Sequence, residues 1–259
     1  MDKKEIVRSI TDNYEAFVEV DYTLNVGKIQ EVLEDLRLLL FGRYFSEEKQ
    51  DREGLLEKIE NDLGKEIAKL SDDETIITRF LETLPEIQRK LYKDVEAIYY
   101  GDPACKAYTE IILSYPGFYA IFHYRIAHEL YELGVPILAR IIGELGREKT
   151  AIDIHPGAKI GESCCIDHGQ GIVIGETTVV GDNVRMYHGV TLGVKRFKED
   201  EHGHLQKGWK RHPNIGNHVT LYANATILGG DTFVADGSTI HADALITSST
   251  KGDNKRDEQ

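Results

Sequence analysis

The sequence predicts an α-helical first half followed by a parallel β-solenoid, and three observations carry that prediction. The first is a hydrophobic beat of six residues: Ile154, Ile160 and Ile166, then Ile174, Val180, Met186 and Leu192, then Ile215, Leu221 and Ile227, then Val234, Ile240 and Ile246. Neither the 3.6-residue period of a helix nor the two-residue alternation of a plain strand accounts for it. Short strands separated by turns do. Three of them make a triangular coil, in which the beat residue points inward and stacks on its equivalent in the next coil, about 4.8 Å away. The second observation is where the beat slips. The step from Ile166 to Ile174 is eight residues, the step from Ile227 to Val234 is seven and contains Gly229-Gly230, and a charged, His-rich interruption occupies 193–214. A solenoid pushes such insertions outward as bulges and loops, and loops carry function. The third is the helical periodicity of the first 150 residues.

In that first part, Ile29, Val32, Leu33, Leu36, Leu39 and Leu40 form one amphipathic stripe, and Leu55, Leu56, Ile59, Leu63, Ile67 and Leu70 form a second. Ser71-Asp72-Asp73-Glu74 has the spacing of a capping box ahead of Ile76, Ile77, Phe80, Leu81 and Leu84. Pro85 is expected to end or kink that helix, with the pattern resuming over 91–99. Gly101-Asp102-Pro103-Ala104 reads as a break, with Asp102 an N-cap and Pro103 in the first turn. Residues 118–133 read as an aromatic helix closed by Gly134, and 137–145 as a last short helix. The expected organisation is a helical domain over 1–150, which caps the first coil and supplies subunit contacts, and a β-solenoid domain over 151–248 with the excursion loop 193–214. A polar tail, 249–259, is expected to fray.

Composition bounds the function. The 259 residues are 41% hydrophobic and 29% charged, with a formal net charge of -13. That charge argues against nucleic-acid and anionic-membrane partners, whose phosphates would repel it. There is no signal-peptide pattern and no long apolar run, so a cytoplasmic protein is expected. Cys105, Cys164 and Cys165 are too few and too odd in number for a disulfide framework, and read as free thiols. No metal site is expected.

Several motifs then occur in order. Asp102-Pro103-Ala104 and Tyr124-Arg125-Ile126-Ala127-His128 precede the solenoid, which opens with Asp153-Ile154-His155-Pro156-Gly157-Ala158-Lys159-Ile160-Gly161. Ile166-Asp167-His168-Gly169, Gly171-Ile172-Val173-Ile174-Gly175-Glu176-Thr177, Val190-Thr191-Leu192-Gly193 and Arg211-His212-Pro213 follow. Over roughly residues 100–247 this set resembles the serine O-acetyltransferases of the hexapeptide-repeat acyltransferases. The resemblance implies a left-handed parallel β-helix and a homotrimer or dimer of trimers. It also implies acetyl transfer from acetyl-CoA to the L-serine hydroxyl in cysteine biosynthesis, with L-cysteine as a feedback inhibitor.

Such chemistry needs a base for a neutral hydroxyl, and His is suited to that at neutral pH. His168 lies in the eight-residue step, where the bulge would lift it from the regular surface. The resemblance makes it the general base of a direct transfer, with Asp153, fifteen residues earlier, as its acid partner. His155, His188 and His218 are lesser candidates. For the zwitterionic acceptor the resemblance assigns Arg211 and His212 to the carboxylate and Asp102 and Asp167 to the ammonium. It assigns Gly193 to the thioester end of CoA, and Ala223 and Ala242 to a channel that bulky side chains would block. Lys195, Arg196, Lys198, Lys207, Lys210 and Arg211 give the excursion loop a modest positive patch.

Two departures stand out. The family's Gly-x-Pro-Ala segment after the last coil is absent, and the chain ends Asp257-Glu258-Gln259 rather than in isoleucine. Docking to cysteine synthase by that route is therefore not expected. Rival readings are a homoserine or sugar acyltransferase, a zinc hydratase with ligands between subunits, and a non-enzymatic scaffold.

Overall fold

The computed structural model of the chain describes residues 1–17, 23–48 and 50–250. The tail expected to fray lies, beyond residue 250, outside the described residues. Among the described residues seven α-helices come first: α1 (Lys3–Phe17), α2 (Val26–Phe41), α3 (Arg52–Ile67), α4 (Thr75–Gly101), α5 (Tyr108–Ser114), α6 (Pro116–Glu132) and α7 (Pro136–Thr150). The predicted apolar stripes are the buried faces of α2, α3 and α4. The N-caps of α2 and α3 are Asn25 and Asp51, whose side chains accept from the backbone N–H of Lys28 and Gly54 at 3.0 Å each.

Three local expectations are corrected. The Ser71–Glu74 capping box does not form: the Ser71 N–H stays with the Ile67 carbonyl (3.1 Å), its hydroxyl takes the Asp73 N–H (3.2 Å), Asp73 accepts from the Thr75 N–H (3.0 Å) and hydroxyl (2.6 Å), and the helix starts at Thr75, three residues later than the box requires. Pro85 does not end α4, which runs 27 residues through it. Pro85 is exposed, while buried Phe80, Leu84, Ile87 and Leu91 hold the helix against the core on both sides of it. Asp102 is the C-cap of α4, not an N-cap. Its carboxylate takes the Ala104 N–H at 2.8 Å, making a tight turn, and the next helix starts only at Tyr108.

Thirteen short strands follow: β1 (Asp153–Ile154), β2 (Lys159–Ile160), β3 (Cys165–Ile166), β4 (Val173–Ile174), β5 (Val179–Val180), β6 (Arg185–Met186), β7 (Thr191–Gly193), β8 (Asn214–Ile215), β9 (Thr220–Leu221), β10 (Thr226–Leu228), β11 (Phe233–Val234), β12 (Thr239–Ile240) and β13 (Leu245–Ile246). Each pairs in parallel with the strand three places on, giving three sheets ordered β1-β4-β7-β10-β13, β2-β5-β8-β11 and β3-β6-β9-β12. Every beat residue lies on a strand, opposite its equivalents. Ile154, Ile174, Leu192, Ile227 and Ile246 form one column, Ile160, Val180, Ile215 and Val234 a second, and Ile166, Met186, Leu221 and Ile240 a third. All but Ile246, on the last strand, are buried.

The turns stack as well. Between the second and third sheets the Glu162, Asp182 and Asn217 N–H groups donate to the side chains of Asp182 (2.8 Å), Asn217 (2.9 Å) and Asp236 (2.9 Å) in turn. At the far end Ser249 and Thr250 bond the open edge of β11: Thr250 donates to the Phe233 carbonyl (2.9 Å) and its hydroxyl accepts from Ala235 (3.0 Å).

At the near end the helices cover the first coil through buried polar contacts. The Tyr124 hydroxyl donates to the Ala158 carbonyl (2.7 Å) and accepts from Ile160 N–H (3.0 Å). Arg125 of α6 forms a bidentate pair with Asp94 of α4 (2.6 and 2.8 Å) and also donates to the Gly161 carbonyl (2.9 Å). Asp94 accepts from Cys164 N–H at 2.9 Å. Adjacent Cys164 and Cys165 are both buried, because α4 covers the outer face of β3.

Two predictions follow from this packing. Arg125→Met strands a fully buried carboxylate, and losing one partner of such a pair costs about 3–5 kcal/mol. Urea unfolding should show that loss, and a change below about 1 kcal/mol would contradict the joint's role. His123 of α6 is 3% exposed, and burial holds it down at about 4. Unfolding lets it take up a proton near 6.5, so stability is complete above that pH and falls as pH drops towards 4. The urea midpoint of His123→Gln should therefore fall less than the parent's between pH 6.5 and 4.5; parallel curves would contradict the assignment.

Candidate functional site

The bulge between β3 and β4 is built from left-handed residues. His168 (φ 57°), Gly169 (φ 82°) and Gly171 (φ 79°) turn the chain outward and back. The His168 side chain is 73% exposed, and its Nε2 lies 3.8 Å from Asp167 Oδ1. His188, one coil on, meets its ring edge to face at 6.3 Å. Asp102 reaches the same corner from the end of α4. One carboxylate oxygen takes the Ala104 N–H, and the other takes the Tyr115 hydroxyl at 2.7 Å. The Tyr115 bond, the Ala104 N–H and neighbouring His168 hold the Asp102 carboxyl below its usual range.

Asp153 stands at the head of β1. Its carboxylate lies 3.4 Å from Arg147 Nη1, and among the described residues no hydrogen bond or ion pair joins it to His168. The expected Asp153–His168 pairing is thus not formed in the isolated chain, because α7 delivers a guanidinium to Asp153 and the turned-out imidazole faces Asp167. The two residues do flank one turn: Gly171 N–H donates to the Ala151 carbonyl at 2.8 Å.

The second group sits at the other end of β4. His212 is 6% exposed and packs against Gly175, where a Cβ would lie 2.0 Å from the imidazole. Its Nδ1 accepts from Thr177 N–H at 3.1 Å, so the neutral ring carries its proton on Nε2. Burial, reinforced by adjacent Arg211, pulls it down to about 4. The Thr177 hydroxyl accepts from the N–H groups of both Arg211 and His212 (3.0 Å each). The Arg211 guanidinium pairs with Glu176 at 2.5 Å, and the Glu176 carboxylate also takes the Tyr131 hydroxyl (3.2 Å). Arg211 Nη1 is buried with no hydrogen-bond partner among the described residues. His155 belongs to this corner too, with Nδ1 accepting from Gly157 N–H at 3.0 Å.

The excursion loop leaves from Gly193 and returns at Arg211. It carries a short antiparallel bridge, Glu199 to Leu205, and Lys198 lies over Trp209 at 4.4 Å. Beneath it a cavity of about 460 Å³ is lined by Lys195, Arg196, Phe197, Lys198, Trp209 and Arg211 with Gly229, Gly230 and Asp231. Gly193 opposes Leu228 in the sheet, on the Arg211 corner. Ala223 and Ala242 lie instead above His168: the turns Gln170–Gly189, His188–Asn224 and Ala223–Asp243 are joined by successive N–H to carbonyl bonds of 2.9 Å. Stacked Tyr187 and Tyr222 rings, 5.2 Å apart, come from the same turns.

The structure therefore brings Asp102, Asp167 and His168 together with the Ala223–Ala242 strip, and places Arg211, His212 and Gly193 across the first sheet from them. His218 is exposed at the third corner. Among the described residues no group of three or more His, Cys, Asp or Glu side chains converges as a metal site within one chain. Sequence reasoning gave no role to Tyr115, Tyr131, Glu176 or Thr177. Glu176 and Thr177 stood inside a quoted motif, whereas Tyr115 had only its place before Pro116 to mark it.

Comparison with known proteins bears on this arrangement. The family described as "Serine acetyltransferase, N-terminal" matches residues 45–122. A serine acetyltransferase of Synechococcus elongatus is 45% identical over 244 residues, covering 84% of this chain and 76% of that protein. One from Helicobacter pylori is 44% identical over 155 residues, covering 60% of this chain and 84% of that protein. Among solved structures, native Entamoeba histolytica serine acetyltransferase 1 superposes with a TM-score of 0.79 at 32% identity, over 96% of both chains. The same enzyme in complex with L-cysteine gives 0.72 at 34% identity, over 88% of this chain and 87% of that one. A Brucella abortus serine acetyltransferase in complex with coenzyme A gives 0.62 at 29% identity, over 86% and 76%. The chain belongs to the serine acetyltransferase family.

Proposed function

We propose that this chain transfers acetyl from acetyl-CoA to the hydroxyl of L-serine, giving O-acetylserine and CoA for cysteine biosynthesis, without an acyl-enzyme. The observation that carries the reading is the convergence of His168, Asp167 and Asp102 at the bulged corner, at the foot of the Ala223–Ala242 strip. His168 is the general base. As the serine oxygen attacks the thioester carbonyl carbon, the imidazole takes the hydroxyl proton. The tetrahedral centre then expels CoA by breaking the C–S bond, and the imidazolium returns the proton to the thiolate. Asp153, across the 169–171 turn, orients the imidazole once the ring swings from Asp167. The pantetheine arm runs along the small-residue strip, with the cationic cavity under the excursion loop suited to phosphate and Gly193 facing the thioester.

Asp102 and Asp167 receive the serine ammonium. Arg211, through its guanidinium, and His212, through Nε2–H, receive the carboxylate. In one chain these two half-sites lie at opposite ends of the first sheet. We therefore place the complete site between copies, the bulged corner of one against the Arg211 corner of the next, in a homotrimer of left-handed β-helices or a dimer of such trimers. The organisation into a helical domain (1–150) and a β-helix domain (151–248) fits this plan, with the helices capping the first coil. L-Cysteine carries the same zwitterion and fits the same clamp as an inhibitor, a reading supported by the cysteine-bound relative. No described helix is long and apolar enough to cross a membrane, and with three unpaired cysteines a reducing cytoplasm is the proposed setting.

A thiol-release assay with acetyl-CoA and a panel of amino acids and sugars tests the reading. L-Serine should be the best acceptor, and a preference for homoserine or an amino sugar would refute the assignment. His168→Ala should lose about 10²- to 10⁴-fold in kcat. Arg211→Ala should raise KM for serine about tenfold or more, as loss of a charge-assisted bond implies, without moving that for acetyl-CoA.

A further inference from the structure

We propose that Tyr115 is a positioning residue for acceptor recognition: its hydroxyl holds Asp102 in the one orientation that selects an acceptor bearing an ammonium group. The inference rests on the assignment of Asp102 to the serine ammonium.

Asp102 sits at a helix end, 27 residues from the start of α4 and in an irregular turn, where an aspartate side chain is free to rotate unless something fixes it. Two donors do so. The Ala104 N–H fixes Oδ1 (2.8 Å) and the Tyr115 hydroxyl fixes Oδ2 (2.7 Å), leaving the outward lone pairs of both oxygens for a cation. The tyrosine is itself built in. Pro116 opens α6 and confines the residue before it to extended backbone, which Tyr115 adopts (φ -77°, ψ 123°). The next residue, Gly117, lies so close to the last strand of the first coil that a Cβ would come within 2.1 Å of the Ile166 carbonyl oxygen. Ile166 leads directly into Asp167 and His168. The segment 115–117 thus ties the Asp102 turn to the bulged corner at a fixed separation. Asp102 pushes the Tyr115 hydroxyl well above the usual tyrosine range, so it stays a donor at any working pH. The hydroxyl touches no reacting atom in this scheme; it acts through the carboxylate.

The test compares two acceptors in wild type, Tyr115→Phe and Asp102→Asn: L-serine and 3-hydroxypropionate, which keeps the hydroxyl and carboxylate but lacks the ammonium. Removing one charge-assisted bond should lower kcat/KM for serine about tenfold in Tyr115→Phe, mostly through KM. The value for 3-hydroxypropionate and the KM for acetyl-CoA should stay within about twofold, since neither involves the ammonium site. Asp102→Asn should lower the serine preference further. A general loss of structure lowers both acceptors alike, so an unchanged preference ratio in Tyr115→Phe overturns the proposal whatever its absolute activity. If Asp102→Asn alone loses the preference, only the role of Tyr115 falls. If neither variant loses it, the ammonium assignment falls as well.

Discussion

One inward side chain per strand, stacked on its equivalent in the next coil, is the constraint from which the rest of this structure follows. Each strand is two or three residues long and has too few backbone bonds to persist alone. On eight of the thirteen strands, slipping by one residue would put Asp, Lys, Arg, Asn or Thr into a column of Ile, Leu, Val and Met, which holds the register. The same register stacks the corners. Residues from coils far apart in sequence therefore form continuous columns, such as Gln170, His188, Ala223 and Ala242. The stacking of Ala223 and Ala242 above His188 is thus a consequence of periodicity.

Chemistry enters where the period breaks. Two added residues in one turn lift His168 off the surface, and a long excursion brings Arg211 and His212 back against the next corner, where Thr177 and Gly175 receive them. The columns leave both insertions outside the core. The helical region supplies what the coils lack. It covers the open edge of the first coil through Tyr124, Arg125 and Asp94, and it delivers Asp102 and Tyr115 to the bulged corner.

What was legible in sequence divides along the same line. All thirteen beat residues lie on strands because a period of six has few structural solutions. The eight-residue step marked His168 because an insertion has nowhere to go but outward. Less local facts were not legible. Pro85 reads as a helix breaker, yet α4 passes through it because packing on both sides outweighs one lost hydrogen bond. Ser71 and Glu74 have capping-box spacing, but the Ser71 N–H still belongs to the preceding helix end, bonded to the Ile67 carbonyl, and its hydroxyl takes the Asp73 N–H instead. Asp153 is fifteen residues before His168, a spacing that suggests contact, but the nearby guanidinium of Arg147 lies on another element. Tyr115 and Glu176 bond to partners 13 and 35 residues away, Asp102 and Arg211, and no local pattern announces such pairs.

The division of the site between two corners of one chain is the central claim, and subunit mixing tests it most directly. His168→Ala and Arg211→Ala each remove one half-site. If every complete site takes its base from one copy and its carboxylate clamp from the next, co-expressed variants assemble some sites with both halves intact. Random mixing makes these about a quarter of the total, half times half, in a symmetric ring. The account predicts kcat/KM for serine recovering to about a quarter of wild type in the mixed assembly, far above either variant alone. Activity no greater than the average of the two separate variants would show that both half-sites serve within a single chain, and would contradict it.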